Sequence, residues 1–124
     1  MNKKILVCDD DYGITEVIKI VLEEKGYDVV VHSTGERITE VIKKEKPDLI
    51  LIDLWIPGMS GDEVTRWLKN DKKLKHTPII IVSANQDTAK AAVNSGADAF
   101  INKPFDIMEL EATVAKYLAK ASAA

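Results

Sequence analysis

The sequence lacks the features that define several classes of protein. It contains one cysteine, Cys8, so no internal disulfide can form and a reducing compartment is the simpler expectation. No apolar run approaches the ~20 residues that span a bilayer. The N-terminal residues lead into a short apolar run that meets acids at once, whereas a secretory signal needs a longer apolar stretch and a small-residue cleavage site. We therefore expect a cytoplasmic protein that makes no membrane contact.

Excess positive charge is also absent. The formal net charge is −3 and the pI is about 5.4, whereas nucleic-acid-binding domains usually present a basic face. Hydrophobic residues make up 46% and charged residues 30%, which is typical of a globular domain. A length of 124 residues suits one core. We expect a single domain over residues 1–124, with no output domain and no direct contact with nucleic acid.

Two apolar patterns alternate along the chain. Short, mostly β-branched runs without polar alternation are typical of strands covered on both faces of a parallel sheet. These runs occupy residues 5–8, 29–31, 49–52, 79–82 and 99–101. Segments with helical periodicity lie between and after them, at residues 13–25, 35–45, 61–70, 87–95 and 107–120. The pattern predicts an α/β fold built from five βα units.

The number of units restricts the topology. Five βα units are too few for an eight-fold barrel, so we expect an open, doubly wound, five-stranded parallel sheet of the flavodoxin-like (βα)5 type. Right-handed crossovers with helices on both faces favour the strand order 2-1-3-4-5, which reverses between the first and third strands. Ligands of such sheets bind at the carboxyl ends of the strands, beside that point. Chemistry is therefore predicted just after the strands.

Acidic, hydroxyl and lysine side chains follow four of the predicted strands. They are Asp9 and Asp10 after the first run, Asp53 after the third, Ser83 after the fourth and Lys103 after the fifth. The three acids concentrate negative charge, which favours binding of a cation. Oxygen donors without a nearby cysteine or histidine favour a hard ion, and phosphate chemistry makes Mg²⁺ the natural choice. The adjacent Asp11 is expected to be a local cap or a solvated acid near the first helix instead of a ligand.

The same residues suit phosphoryl transfer. A carboxylate such as that of Asp53 can attack phosphorus and form an aspartyl phosphate. Mg²⁺ and Lys103 would offset the repulsion between an anionic donor and the acidic edge, and the Ser83 hydroxyl could donate to a phosphoryl oxygen. Each residue alone has an ordinary explanation, since aspartate favours turns and lysine is usually solvated. Their predicted convergence favours the chemical interpretation.

Four segments resemble the receiver domain of bacterial two-component response regulators. They are residues 5–11, 51–61, 82–84 and 103–105, in this order on a (βα)5 pattern. The resemblance implies a phosphorelay protein that takes a phosphoryl group from a histidine kinase or a histidine phosphotransfer protein and then controls a downstream protein target. It implies a phospho-acceptor switch with self-catalysed phosphorylation and dephosphorylation, not an enzyme. Such a domain would be a monomer or a phosphorylation-dependent dimer.

The resemblance also assigns roles to the residues at the predicted edge. Asp53 corresponds to the phosphoacceptor, and Lys103 to a residue that contacts the phosphoryl group. Asp9, Asp10, Asp53 and the backbone carbonyl of Trp55 correspond to the metal site. Asp10 would bind Mg²⁺ directly, and Asp9 would act through water.

Further roles implied by the resemblance concern switching and hydrolysis. Ser83 and Phe100 occupy the positions of a coupled switch pair, which would change the face formed by the fourth helix, the fifth strand and the fifth helix. Trp55 and Asn85 flank the route of attacking water. We expect the bulky Trp55 side chain to shield the acyl phosphate, and the alternative is that it merely stacks on the loop surface. The bond before Pro104 is usually cis in the family.

The first predicted helix has a wide apolar surface. At ~100° per residue its apolar residues cover an arc of roughly 200°, more than a helix needs for packing on a sheet. They are Ile14, Val17, Ile18, Ile20, Val21 and Leu22. The surplus edge could dock the kinase or phosphotransfer protein, and deeper burial by neighbouring helices is the alternative.

Other functions fit parts of the sequence. A small Mg²⁺-dependent phosphatase of the haloacid-dehalogenase type would use Asp9 as nucleophile, because residues 9–11 contain an Asp-x-Asp pattern. That interpretation leaves Asp53 unexplained and lacks an acidic pair after the fourth strand. A flavodoxin-type mononucleotide binder needs a first loop rich in Gly, Ser and Thr, whereas this loop is rich in Asp. A binding module that cannot be phosphorylated is disfavoured by the intact acids and lysine.

Overall fold

The computed structural model describes residues 2–84 and 88–123, which form strands alternating with helices. The strands are β1 (Lys4–Cys8), β2 (Asp28–His32), β3 (Leu49–Asp53), β4 (Ile79–Ser83) and β5 (Ala99–Asn102). The helices are α1 (Tyr12–Glu24), α2 (Ile38–Glu45), α3 (Gly61–Lys69), α4 (Thr88–Ser95) and α5 (Ile107–Ala123). The predicted order of (βα) units is confirmed.

The five strands form one parallel sheet in the order β2-β1-β3-β4-β5. The predicted topology is therefore confirmed, including the reversal between β1 and β3. In the sheet register Cys8 lies beside both His32 and Ile52, and Ser83 lies beside Asn102. The last residues of the strands consequently lie along one edge.

Successive strand residues face two separate apolar cores. Helices α2, α3 and α4 cover one face of the sheet, where Ile50 is fully buried, and helices α1 and α5 cover the other, where Leu51 is buried. Full burial of an aliphatic side chain contributes about 1.5–3 kcal/mol. Packing on both faces explains why the strand sequences are continuously apolar. The result is a sheet that is closely packed on both of its faces.

Helix α2 differs from the prediction, because it begins at Ile38 and not at residue 35. The backbone of Arg37 adopts a left-handed conformation with φ of 57°, and the Gly35 N–H donates to the Pro57 carbonyl at 2.6 Å. A contact between two loops therefore overrides the helical periodicity of residues 35–37. Helix α5 runs three residues past its predicted end. No helix in the described ranges is long and apolar enough to span a bilayer.

Candidate functional site

Three charged side chains meet at the carboxyl edge of the sheet. Asp9 follows β1, Asp53 ends β3 and Lys103 follows β5. The Lys103 Nζ donates to Asp9 Oδ2 at 2.6 Å and to Asp53 Oδ2 at 3.2 Å. The side chains are largely buried, with 3% of Asp9 and 12% each of Asp53 and Lys103 exposed. One ammonium group thus joins two carboxylates from different strands.

Backbone amides hold the remaining oxygens of both carboxylates. The Asp11 N–H donates to Asp9 Oδ1 at 2.9 Å, and the Trp55 N–H donates to Asp53 Oδ1 at 3.2 Å. Neither amide is among the groups predicted from the sequence. Aspartate often accepts a hydrogen bond from the amide two residues later, so the i, i+2 spacing was the available signal. Asp11 itself accepts from the Ile14 N–H and caps α1, as predicted.

Burial and ion pairing have opposite effects on the pKa values of Asp9 and Lys103. Burial raises the pKa of Asp9, although the hydrogen bond from Lys103 acts in the opposite direction. Burial alone would lower the pKa of Lys103, but the hydrogen bond to Asp9 and the charge of Asp53 outweigh it and raise that pKa. Lys103 is therefore protonated at neutral pH. Its hydrogen bond and charge offset only part of the cost of burying the Asp9 carboxylate, whose pKa stays above its usual value.

The acidic side chains offer a donor set suited to a hard divalent ion. One carboxylate oxygen each from Asp9, Asp10 and Asp53 lies within 4.8 Å of the others. Ligands of one Mg²⁺ at about 2.0–2.1 Å can lie up to about 4.2 Å apart, so small side-chain movements would bring all three within reach. Asp10 is exposed, which leaves the cluster accessible to an ion that keeps some of its waters. The residues therefore fit Mg²⁺, whereas the ligand role of the Trp55 carbonyl stays a prediction.

The two predicted switch residues lie on β4 and β5. Ser83 is buried at the end of β4, between β3 and β5 in the sheet. Phe100 lies beside Ile81 in the register and is 39% exposed. Its ring borders a groove of about 300 Å³ that Ala92 and Tyr117 also line. The structure thus places a hydroxyl at the charged edge and an aromatic ring on the α4–β5–α5 face.

Trp55 lies in the β3–α3 loop, the segment of residues 54–60. Its side chain is 64% exposed, while those of the neighbouring Leu54 and Ile56 are buried. The indole is therefore on the surface of the loop that follows Asp53, where it could either shield the site or stack on the loop. The other predicted water-access residue, Asn85, lies outside the described residues.

Helix α1 keeps part of its apolar surface uncovered. Ile18 and Leu22 are buried against the sheet, but Val17 and Ile20 are exposed. Neighbouring helices in the described part of the chain therefore do not bury the whole arc. An apolar edge remains available on the helix that begins directly after Asp11.

The chain is similar in sequence and in fold to known proteins. The sequence pattern of the response regulator receiver domain matches residues 5–115. The DNA-binding response regulator MtrA of Mycobacterium tuberculosis is 40% identical over 116 residues, which cover 92% of this chain and 50% of MtrA. The chain spans about half the length of the curated relatives it matches.

Two solved structures are similar over nearly the whole chain. The signal receiver domain of a histidine kinase from Syntrophus aciditrophicus has a TM-score of 0.88 at 30% identity, covering 95% of this chain and 91% of that one. The receiver domain of the sensor histidine kinase PA1611 from Pseudomonas aeruginosa has a TM-score of 0.87 at 25% identity, covering 96% and 99%. That structure has a magnesium ion coordinated in its active-site cleft.

Replacement of Lys103 by methionine should lower the free energy of unfolding, because the acidic side chains of the site then lack their cation. Lys103→Met leaves two desolvated carboxylates without the ammonium group that joins them. Loss of one partner from a fully buried ion pair costs ~3–5 kcal/mol, and the partial exposure here reduces the expected loss to about 1–3 kcal/mol. Urea unfolding in EDTA would measure it, and added Mg²⁺ should restore more stability to the variant than to the wild type.

The matched control is Lys25→Met. Lys25 pairs with Glu111 on the surface at 3.0 Å, and such pairs contribute about 0–1 kcal/mol. Equal stability of Lys103→Met and wild-type protein in EDTA would contradict the expected loss of stability.

Proposed function

Because this chain belongs to the response regulator receiver domain family, and so to the signalling domains of two-component systems, we propose that it accepts a phosphoryl group on Asp53. The observation that carries the proposal is the bridge from Lys103 to Asp9 and Asp53 beside a third acid, Asp10. This arrangement supports the proposal because it brings a carboxylate, an ammonium group and further carboxylate oxygens together at one edge. The family is one of signalling domains and not of classical enzymes.

The proposed transfer uses the geometry of Asp53. A carboxylate oxygen of Asp53 attacks phosphorus, a P–O bond forms, and the P–N bond to the donor histidine breaks as that imidazole takes up a proton. The Trp55 N–H keeps the carboxylate oriented, and Lys103 stabilises the charge on the transferring oxygens. Mg²⁺, held by Asp9, Asp10 and Asp53, would supply the remaining positive charge when bound.

The proposed response couples Ser83 to Phe100. The Ser83 hydroxyl donates to a phosphoryl oxygen, which draws in the end of β4. Phe100 then moves inward from its half-exposed position, and the α4–β5–α5 face changes shape. Such a response is a shift between two states, so the phosphoryl group must interact more favourably with one of them.

The proposed partners are a histidine kinase or a histidine phosphotransfer protein as donor, and a downstream protein as target. Relatives twice as long include DNA-binding response regulators, so a whole protein of this kind could contact DNA. We assign no direct nucleic-acid contact to the domain itself, and we place it in the cytoplasm. A monomer or a phosphorylation-dependent dimer is compatible with an exposed α4–β5–α5 face.

The phosphatase alternative is disfavoured by the family match. A phosphatase using Asp9 would need a substrate to reach that carboxylate, but only 3% of the Asp9 side chain is exposed, compared with 12% for Asp53. Such an enzyme also gives Asp53 no role.

Asp53→Asn should abolish phosphorylation by a small donor such as acetyl phosphate in the presence of Mg²⁺, because the amide is a poor nucleophile. Intact-mass measurement and site mapping would test this. Asp11→Asn is the matched control, since asparagine also caps helices well and Asp11 lies outside the bridge. Normal phosphorylation of Asp53→Asn would refute the proposal, and labelling of Asp9 with repeated turnover would point to a phosphatase.

Trp55→Ala should accelerate loss of the phosphoryl group several-fold, because removal of the indole opens the route of water to the acyl phosphate. The rate is measured on isolated phosphorylated protein after removal of donor. Trp67→Phe is a control for the loss of an indole elsewhere. An unchanged or slower rate for Trp55→Ala would instead favour simple stacking on the loop.

Ile20→Lys should slow phosphotransfer from a phosphohistidine protein by about tenfold or more, because it places charge on the exposed apolar edge of α1. Phosphorylation by acetyl phosphate should be unaffected, since a small donor needs no docking surface. Stopped-flow or quench-flow rates with both donors test this. Equal rates of wild type and Ile20→Lys with the protein donor would exclude docking at this edge.

A further inference from the structure

The β2–α2 turn, residues 33–37, packs closely against the β3–α3 loop. The Gly35 N–H donates to the Pro57 carbonyl at 2.6 Å. A Cβ atom on Gly35 would overlap the backbone nitrogen and oxygen of Met59 and approach its carbonyl carbon to 2.9 Å. Gly35 does not have a positive φ angle. The absence of a side chain is therefore required by this close approach and not by the backbone conformation.

The contact is reciprocal. Gly58 has a φ of 99°, and a Cβ atom there would lie 2.8 Å from the Glu36 nitrogen. On the side of β2, the His32 Nε2 lies 2.8 Å from the Glu36 carbonyl oxygen, so it carries the proton and donates to that oxygen. The turn is thus fixed to strand β2 by His32 and interlocked with the β3–α3 loop through Gly35 and Gly58.

The same β3–α3 loop supplies an amide to Asp53. Its Trp55 N–H donates to Asp53 Oδ1, while Lys103 holds Oδ2. Buried Leu54 and Ile56 anchor the start of the loop, and the contact with Gly35 fixes its middle at Pro57. A displacement of Pro57 should therefore move the Trp55 amide, which is only two residues away in the chain.

We propose that Gly35 is a positioning residue for the chemistry of Asp53, and that the β2–α2 turn braces the loop carrying the Trp55 amide. Only the expected effect on the phosphorylation rate rests on the proposed function of Asp53. The structural part of the proposal, that the turn sets the position of the Trp55 N–H, is independent of phosphorylation. His32 acts in the same brace from the β2 side.

Gly35→Ala is the direct test. A methyl group needs roughly 1 Å of additional separation from the Met59 backbone, and misplacement of that size far from the chemistry can reduce a rate about 100-fold. We expect phosphorylation by acetyl phosphate to slow by about 10–100-fold. The Trp55 amide resonance should shift, and its hydrogen exchange should accelerate.

Gly26→Ala is the matched control. Gly26 has a φ of 90° with open space around it, so alanine there strains the backbone at the far end of α1 without touching the loops. We expect the control to phosphorylate at the wild-type rate, with an unchanged Trp55 amide. Wild-type behaviour of Gly35→Ala in both measurements would overturn the proposal. Failure of the wild-type protein to be phosphorylated would refute the role of Asp53. The Trp55 amide resonance would still test whether the β2–α2 turn braces the loop.

A second pair of variants covers the case in which Gly35→Ala does not fold. His32→Ala removes the donor to the Glu36 carbonyl, whereas His32→Gln can retain an N–H donor. We expect His32→Ala to shift the Trp55 amide and slow phosphorylation, and His32→Gln to recover both. If His32→Ala keeps the wild-type resonance and rate, the turn does not brace the loop.

Discussion

The ammonium group of Lys103 connects three strands, and most of the site depends on this bridge. Strands β1 and β3 are neighbours, but β5 lies beyond β4, so Lys103 reaches across the end of β4 to contact Asp9 and Asp53. The reach is possible because parallel strands all end at one edge of the sheet. Ser83 ends the strand that the bridge crosses. Movement at the end of β4 or β5 therefore affects the surroundings of both carboxylates.

The part of the site that depends on topology could be predicted from the sequence. Continuous apolar runs identify the strands, the number of units selects the sheet order, and the sheet order brings Asp9, Asp53 and Lys103 to one edge. For the donors that orient the carboxylates, the sequence contains only the general tendency of aspartate to accept from the amide two residues later. The amides of Asp11 and Trp55 point at them only because of loop geometry, which depends on contacts distant in the chain. The late start of α2 has the same origin.

The β3–α3 loop shows how packing and exposure are combined beside the reactive group. Leu54 and Ile56 are buried in the core under α2 and α3, while Trp55 between them projects outward. Alternation of this kind ties the backbone to a close-packed interior and leaves one side chain free to face the site or solvent. These buried neighbours help to hold the backbone amide of Trp55 where it contacts Asp53. Replacement of the indole would leave that hydrogen bond in place, because the backbone makes it.

The balance of charge at the site explains why phosphorylation of Asp53 would change the local structure as well as add a group to it. One ammonium group now faces two buried carboxylates and a third acid nearby. A phosphoryl group replaces the single charge of Asp53 with about −1.5 to −2, while Lys103 still contributes one positive charge. A bound cation such as Mg²⁺ and new hydrogen-bond donors would offset the difference. Ser83, the proposed donor, is part of β4, so its recruitment would move a strand end that lies beside β5. Closely packed elements respond to such a shift by changing between discrete arrangements, which would be the physical basis for the proposed two-state response at the α4–β5–α5 face.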